Sequence, residues 1–184
     1  LSEMGFTRLQ SDANLYVKKD SQIYILVYVD DLLMIGPPKL LPKIVVLRKQ
    51  KFLLKITGDL DSEGSLVTFL GRRLQRVSDS VIMSGTPDYY ESDLTFFGLI
   101  SSKSTTLPGT SGLKRIQDGD EPVSSEEHAA YRKAVGKLQW EVPIRPDVAY
   151  AVKELARSLA NPLKEDLIKL KTLLKYVKST SDYR

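Results

Sequence analysis

The chain has 184 residues, 42% of them hydrophobic and 27% charged, enough apolar material for one domain or two small ones and too much for wholesale disorder. With no cysteine and a single histidine, His128, the composition excludes a disulfide framework, thiolate catalysis and cysteine-ligated zinc. It also argues against a His-rich metal site or a Ser-His-Asp triad. No apolar run approaches the ~20 residues of a membrane span and no secretory signal is visible. The expected setting is therefore intracellular, cytoplasmic or nuclear, with no membrane partner. The first residue is Leu1 rather than Met, and no element opens there, so the chain reads as a fragment of something longer. Residues 1–100 carry 12 basic and 12 acidic side chains, residues 101–184 carry 15 and 11, so the whole +4 excess lies in the second part. That modest bias permits a nucleic-acid partner without requiring one.

The first strong element is Gln22 to Val29, β-branched and aromatic with little polar alternation, which predicts a strand buried on both faces. Asp30-Asp31 follows, then Leu32-Leu33-Met34-Ile35-Gly36: two apolar runs flanking two carboxylates predict a buried hairpin with charge at its tip. A weaker strand signal precedes it at Asn14 to Val17. Pro37-Pro38 breaks the sheet, and about Leu40 to Lys55 predicts a helix with Leu40, Ile44 and Leu47 on one face. Gly58 to Gly64 is a loop. Leu66 to Gln75 predicts a strand, returned by Val81-Ile82-Met83 across Ser78-Asp79-Ser80. Thr86-Pro87 predicts an N-cap followed by proline at the first helical position, with Tyr90, Leu94 and Phe97 at i, i+4, i+7 and Gly98 closing the helix.

Residues 99–123 are rich in Ser, Thr, Gly and Pro, and mark the expected domain boundary. Beyond them every periodic signal is helical. Ser124 and Glu127 form a capping box, and Tyr131, Val135, Leu138 and Val142 line one face up to Pro143. Pro146 starts a second helix with Val148, Val152, Leu155 and Leu159, ended by Asn161-Pro162. A third carries Leu163, Leu167, Leu170, Leu174 and Val177. One narrow apolar stripe per helix predicts a small three-helix bundle.

Asp30-Asp31 is the feature with chemical meaning. Adjacent carboxylates at the end of a buried strand repel each other and lose hydration, and a divalent cation relieves both problems. Mg²⁺ takes oxygen ligands, often one or two carboxylates plus substrate phosphates. A pair of such ions activates an attacking hydroxyl and stabilises a leaving oxygen in phosphoryl transfer. Against this stands the ordinary frequency of solvated aspartates in turns.

The residues around the pair resemble the catalytic hairpin of reverse transcriptases of the Ty1/copia retrotransposon type: Tyr28-Val29-Asp30-Asp31 inside Leu26 to Gly36. Phe69-Leu70-Gly71, in a strand downstream, resembles the primer-grip strand of that family. Tyr131 to Leu138 followed by Arg145 to Val152, then Asn161-Pro162 and Leu174 to Thr180, resemble the block after the palm, and Gly5-Phe6 through Asp12 and Tyr16 fit the segment before the hairpin. The landmarks keep the family order from about residue 5 to 184.

The resemblance implies an α+β fold: a partial right-hand polymerase palm, an antiparallel sheet with packed helices, followed by a small helical bundle. Residues 1–98 would be the partial palm, 99–123 a linker, and 124–184 a thumb or connection region leading toward a ribonuclease H domain. It implies RNA-directed DNA polymerisation, with Asp30 and Asp31 catalytic and holding Mg²⁺ or Mn²⁺. Tyr28 and Val29 would lie at the primer terminus, and Phe69, Leu70 and Gly71 would grip the primer backbone. Expected partners are an RNA or DNA template with its primer, dNTPs, and the remainder of a Pol polyprotein: fingers, integrase and ribonuclease H. The family's third catalytic aspartate lies on an upstream strand outside this sequence, so the chain by itself is expected to be inactive. The alternative is a catalytically dead retrotransposon relic acting at most as a nucleic-acid-binding module.

Three further readings concern single features. Lys164, Lys169, Lys171, Lys175 and Lys178 give the last helix a basic side, of which Lys171, Lys175 and Lys178 share one face suited to a nucleic-acid backbone; the same charges also suit a solvated face. Trp140 is expected in the core or at a helix junction. His128 is expected on a polar, solvated face.

Overall fold

The computed structural model of the protein describes residues 1–49, 54–86, 88–109 and 121–181. The fold is mixed α and β: two antiparallel sheets followed by a helical C-terminal part. It divides into two compact units, Leu1–Ile82 and Met83–Arg184.

In the first unit four strands form an antiparallel meander, β1 (Thr7–Arg8), β2 (Leu15–Lys18), β3 (Ile23–Tyr28) and β4 (Asp31–Ile35), in sheet order β1-β2-β3-β4. The Asp12 carboxylate accepts from the Asn14 N–H at 2.8 Å and shapes the β1–β2 connection. Register places Leu26 opposite Leu33 and Ile25 opposite Met34. Strand side chains alternate between faces, and here only one face is closed. Ile23 and Ile25 are buried at 1% exposure, and Val27, Leu32 and Met34 pack beside them with Phe6 and Ile44. The strand expected to be buried on both faces is therefore buried on one: Tyr24 and Tyr28, on the opposite face, are exposed.

The apolar face is closed by α1 (Leu41–Lys49), which begins after Pro37-Pro38, with Pro42 in its first turn where a missing N–H costs nothing. Ile44 is the buried residue that α1 adds to this core. The predicted helix ran to Lys55. Residues 50–53, and the side chains of Leu47, Arg48 and Lys49, lie outside the described residues, and Leu54 and Lys55 carry no helix. Thr57 and Gly58 follow, both poor helix formers.

The second sheet is a meander of β5 (Leu66–Phe69), β6 (Arg72–Val77) and β7 (Ser80–Gly85). A single strand over Leu66 to Gln75 is not what forms. Leu70 (φ 50°) and Gly71 (φ 73°) both enter the left-handed region, and the chain reverses so that Phe69 pairs with Arg72 and Leu66 with Gln75. Positive φ at both central residues is the mark of a two-residue I′-type hairpin turn, whose twist matches that of the strands.

The first helix of the second unit, which begins at Met83 within β7, is α2 (Glu91–Phe96). The predicted cap at Thr86-Pro87 is not used. Pro87 is outside the described residues, the Tyr89 N–H donates to the Thr86 carbonyl in a turn, and Tyr90 stands at the N-cap position. The other end is as expected: Gly98 (φ 65°) terminates the helix, its N–H donating to Thr95 O at 3.0 Å and the Leu99 N–H to Leu94 O at 2.7 Å. This is the Schellman arrangement, with apolar residues at both ends of its 6→1 bond.

Then come α3 (Ser125–Glu141), α4 (Ala149–Ala156) and α5 (Lys164–Ser179). The Ser124–Glu127 capping box forms in both directions, at 2.9 and 3.2 Å. Pro146 initiates a 3-10 turn, Pro146–Val148, that runs into α4. The predicted stripes meet in one core: Tyr131, Val135, Leu138, Val152, Leu155, Leu167, Leu170, Leu174 and Val177 are all buried. Full burial of side chains this size contributes roughly 1.5–3 kcal/mol each before entropy is charged. The buried Tyr131 hydroxyl donates to the Leu155 carbonyl at 2.7 Å. Leu94 and Leu99 join this core, so α2 belongs with the bundle, and the division between units falls ahead of the 99–123 stretch. Among the described residues no helix is long and apolar enough to cross a membrane.

Candidate functional site

The hairpin predicted around Asp30-Asp31 is present, and its geometry is tight. β3 ends at Tyr28, β4 begins at Asp31, and these two residues pair across the ladder, leaving Val29-Asp30 as the two-residue turn. Val29 has φ 50° while Asp30 is not in the positive region, the signature of a II′-type turn. Glycine is the usual occupant of that first position, and a β-branched residue there is an outlier. Left-handed backbone costs an L-residue roughly 1–2 kcal/mol. Val29 recovers none of this by burial, since it is 84% exposed.

Cross-strand partners project from the same face of a sheet. Tyr28 and Asp31 therefore share a face, and it is the open one, opposite the side closed by α1. Tyr24 and Ile35 pair further along the same face, 44% and 62% exposed. Asp30 and Asp31 are both exposed. The donors are hard carboxylate oxygens, the chemistry Mg²⁺ prefers, but two side chains fill only part of a six-coordinate shell. Among the described residues no group of three or more His, Cys, Asp or Glu is placed to hold a metal ion. The residues fit the share of a site in which substrate phosphates, water and a further carboxylate supply the remaining ligands.

Phe69, Leu70 and Gly71 do not form a strand as expected. Phe69 is the last residue of β5, and Leu70-Gly71 is the hairpin turn. The segment is a hairpin tip held by two strands.

The lysines of α5 are placed differently from a free basic face. Lys178 Nζ donates to the carbonyls of Leu99 (3.1 Å), Ser102 (3.4 Å) and Ile100. Lys171 lies 5.6 Å from the centre of the Phe97 ring. Lys169 pairs with Glu165 at 2.8 Å, which raises its pKa, and Lys164 lies 3.8 Å from Glu127. Lys175 has none of these contacts.

Two other expectations concern single residues. His128 is partly buried, its Nε2 2.9 Å from the Leu159 carbonyl, rather than solvated. Of the two places expected for Trp140, it takes the helix junction rather than the core: it lies at the end of α3 with 42% of its surface exposed.

Sequence reasoning missed a polar cluster in the bundle. Arg145, 8% exposed, donates through Nε and Nη2 to the two oxygens of Asp147 and through Nη1 and Nη2 to the carbonyl and hydroxyl of Thr180. Tyr176 OH donates to Asp147 Oδ2 at 2.9 Å. The hydrogen bond from Arg145 holds the Asp147 carboxyl below its ordinary pKa. The missed signal was Arg145-Pro146-Asp147 together with Tyr176 in the last turn of α5 and Thr180 just past it. A second cluster joins Lys137 Nζ to the buried Asp93 at 2.6 Å and to the Tyr89 carbonyl at 2.8 Å.

With the geometry in place, comparison with known proteins gives consistent relatives. The chain is 33% identical over its whole length to the retrovirus-related Pol polyprotein from transposon RE1 of Arabidopsis thaliana, and spans 12% of that protein. It is 31% identical, over 98% of its length, to the retrovirus-related Pol polyprotein from transposon TNT 1-94 of Nicotiana tabacum, spanning 14% of it. It is 28% identical, over 98% of its length, to the putative transposon Ty5-1 protein of Saccharomyces cerevisiae, spanning 57% of it. No protein-family model matches the chain, and no solved structure does.

Proposed function

From the chain's homology, over its full length, to Pol polyproteins of the Ty1/copia type, we propose that it supplies the metal-holding hairpin of an RNA-directed DNA polymerase. The observation that carries this reading is the pairing of Tyr28 with Asp31 on the open face of the sheet, beside a turn that carries Asp30. Asp30 and Asp31 would hold Mg²⁺ or Mn²⁺, which supplies charge for activating a primer 3′-hydroxyl and for steadying the triphosphate of a dNTP.

The chain's own residues do the rest of the positioning. Tyr28 presents a half-exposed ring beside the carboxylates, where the end of a primer can rest, and Val29 projects at the tip. The Phe69-Leu70-Gly71 hairpin would bear on the primer backbone. A third carboxylate would come from the longer polypeptide. The outer edge of β4 is unpaired among the described residues and offers a strand a place to bring one in. The nucleophile belongs to the nucleic acid, so the site needs no serine or cysteine of its own.

The test is primer extension by a Pol polyprotein containing this sequence, as parent and as Asp30→Asn. Loss of extension with an unchanged circular dichroism spectrum is the expected result, and equal extension by the two proteins would refute the assignment. The alternative reading is an inactive relic that keeps the sequence without the activity. The same assay separates the two, because a relic extends no primer even as parent.

A further inference from the structure

The turn that follows α2 brings three backbone carbonyls, those of Leu99, Ile100 and Ser102, around one point. Bonds of its own shape this turn. The Ser102 N–H donates to the Leu99 carbonyl at 3.1 Å, and the Ser102 hydroxyl donates to the same oxygen at 2.7 Å. The Leu99 N–H is committed to Leu94 O, and the Leu99 side chain, 5% exposed, is anchored in the bundle core. Carbonyl oxygens gathered in this way need a donor or a cation to meet them.

What meets them is the Lys178 ammonium, and the match is one of number as well as charge. An –NH₃⁺ group has three N–H donors and no acceptor, and here it faces three carbonyl acceptors. Lys137 binds differently: its ammonium lies 2.6 Å from the buried Asp93 carboxylate. Among the described residues no carboxylate forms an ion pair with Lys178, so its charge is met by dipoles alone. The separations of 3.1 and 3.4 Å from Leu99 O and Ser102 O suit an N–H donor, whereas Mg²⁺ and Ca²⁺ hold oxygen at about 2.0–2.6 Å. The next residue adds a second hold on the same segment, the Ser179 hydroxyl donating to Thr105 O at 3.0 Å.

We propose that the Leu99–Ser102 turn is a binding cup for a primary ammonium ion, filled in this chain by Lys178. The proposal stands apart from the metal-holding hairpin and from any nucleic-acid partner. Because the turn is shaped by Ser102, by the Leu99 N–H and by the buried Leu99 side chain, the cup persists when the lysine is removed and takes up a free ammonium of the right size. In the parent the tethered ammonium has an effective concentration of order millimolar or more, so free amines do not displace it. The cup fastens the start of the 99–123 stretch to the last turn of α5, and so fixes where that stretch leaves the bundle. A guanidinium, planar and forked, does not reproduce three N–H groups spread around one nitrogen.

The experiment uses the full 184-residue chain and reads hydrogen exchange of the Leu99 and Ser102 amides by NMR. Lys178→Ala removes the side chain beyond Cβ, a fragment the size of n-propylammonium, and should exchange these amides roughly tenfold faster than the parent, the effect of losing one charged donor. Added n-propylammonium chloride should slow that exchange in proportion to 1 + [L]/Kd. Tetramethylammonium chloride at the same ionic strength, which has no N–H, should leave it unchanged. Lys178→Met fills the vacated path with apolar atoms, so it should lose the same protection and gain none from propylammonium. The parent should respond to neither salt. A measurement on the parent covers the case in which Lys178→Ala does not fold: the Lys178 ammonium protons should give a resolved ¹⁵N-correlated signal at neutral pH, as should those of Lys137 beside Asp93. Unchanged exchange in Lys178→Ala overturns the proposal. So do equal responses to the two salts, rescue of Lys178→Met along with Lys178→Ala, or a parent spectrum showing the Lys137 ammonium without that of Lys178.

Discussion

Arg145 meets Asp147 side-on, with Nε 2.9 Å from Oδ1 and Nη2 2.8 Å from Oδ2, so that one planar fork grips both carboxylate oxygens. The same guanidinium reaches Thr180, just past the end of α5, and ties that helix to the α3–α4 connection. Arg145 is buried while the Asp147 carboxylate stays partly in water, so removing the guanidinium costs its charged hydrogen bonds to Asp147 and Thr180 rather than stranding a buried charge. Arg145→Ala should destabilise the protein by roughly 1.5–3 kcal/mol in urea denaturation. Arg145→Lys should recover little, since an ammonium cannot reproduce the paired geometry.

The same cluster sets a pH dependence. Arg145 first, then Tyr176, holds the Asp147 carboxyl below its ordinary value of 3.8. A folded-state pKa below the unfolded one stabilises the native state above the unfolded value. That stability disappears as pH falls through the folded value, so the window lies below about pH 4. Glu127, lowered chiefly by the hydrogen bond from the Ser124 backbone N–H, acts in the same direction. Tyr176→Phe removes one donor to Asp147, raises its folded pKa toward 3.8 and should move the acid-unfolding midpoint upward. An unmoved midpoint would show that the hydroxyl contributes nothing to the carboxylate.

Val29 carries strain at the tip of the carboxylate hairpin, with φ 50° and 84% exposure. Val29→Gly relieves the left-handed penalty, offset in part by the extra entropy glycine loses on folding. The net should be a gain of about 0.5–1 kcal/mol, read by equilibrium unfolding. A loss of stability instead would mean that the Val29 side chain makes a contact worth more than its strain.

What the sequence made legible follows from how local each signal is. The Asp30-Asp31 hairpin was readable because two apolar runs bracket a polar pair, and pairing Tyr28 with Asp31 needs no knowledge of the rest of the chain. The Ser124–Glu127 cap and the stripes through Tyr131, Val152 and Leu170 are equally local, and they formed as read. The turn at Leu70-Gly71 was missed because leucine is an improbable left-handed residue, so the run looked continuous. Burial on both faces of β3 was overread from its apolar composition: Tyr24 and Tyr28 are apolar enough to suggest a core and polar enough to remain exposed. The Leu159 partner of His128 and the Thr180 partner of Arg145 lie 31 and 35 residues away, beyond what spacing on one helix can show. The proposed metal site is legible as two carboxylates and a turn, and no third ligand is placed beside them among the described residues.

Lys178 provides the last prediction, because position on a helix face and role diverge there. By spacing, Lys171, Lys175 and Lys178 form one basic face of α5, and removing all three should leave stability intact if they serve only an outside partner. Lys178 is instead turned inward, where its ammonium collects the carbonyls of Leu99, Ile100 and Ser102, which follow the end of α2. Those acceptors would otherwise compete for water at the rim of a core that includes Leu99. Hydrogen bonds from a charged donor are worth more than neutral ones, so Lys178→Ala should destabilise the fold by about 2 kcal/mol. Lys175→Ala, with none of these contacts, should change stability by less than about 0.5 kcal/mol. Urea denaturation of the two single variants decides the matter. Equal, negligible effects would return Lys178 to the solvated face, and a loss confined to Lys178→Ala would identify it as the pin between α5 and the segment after α2.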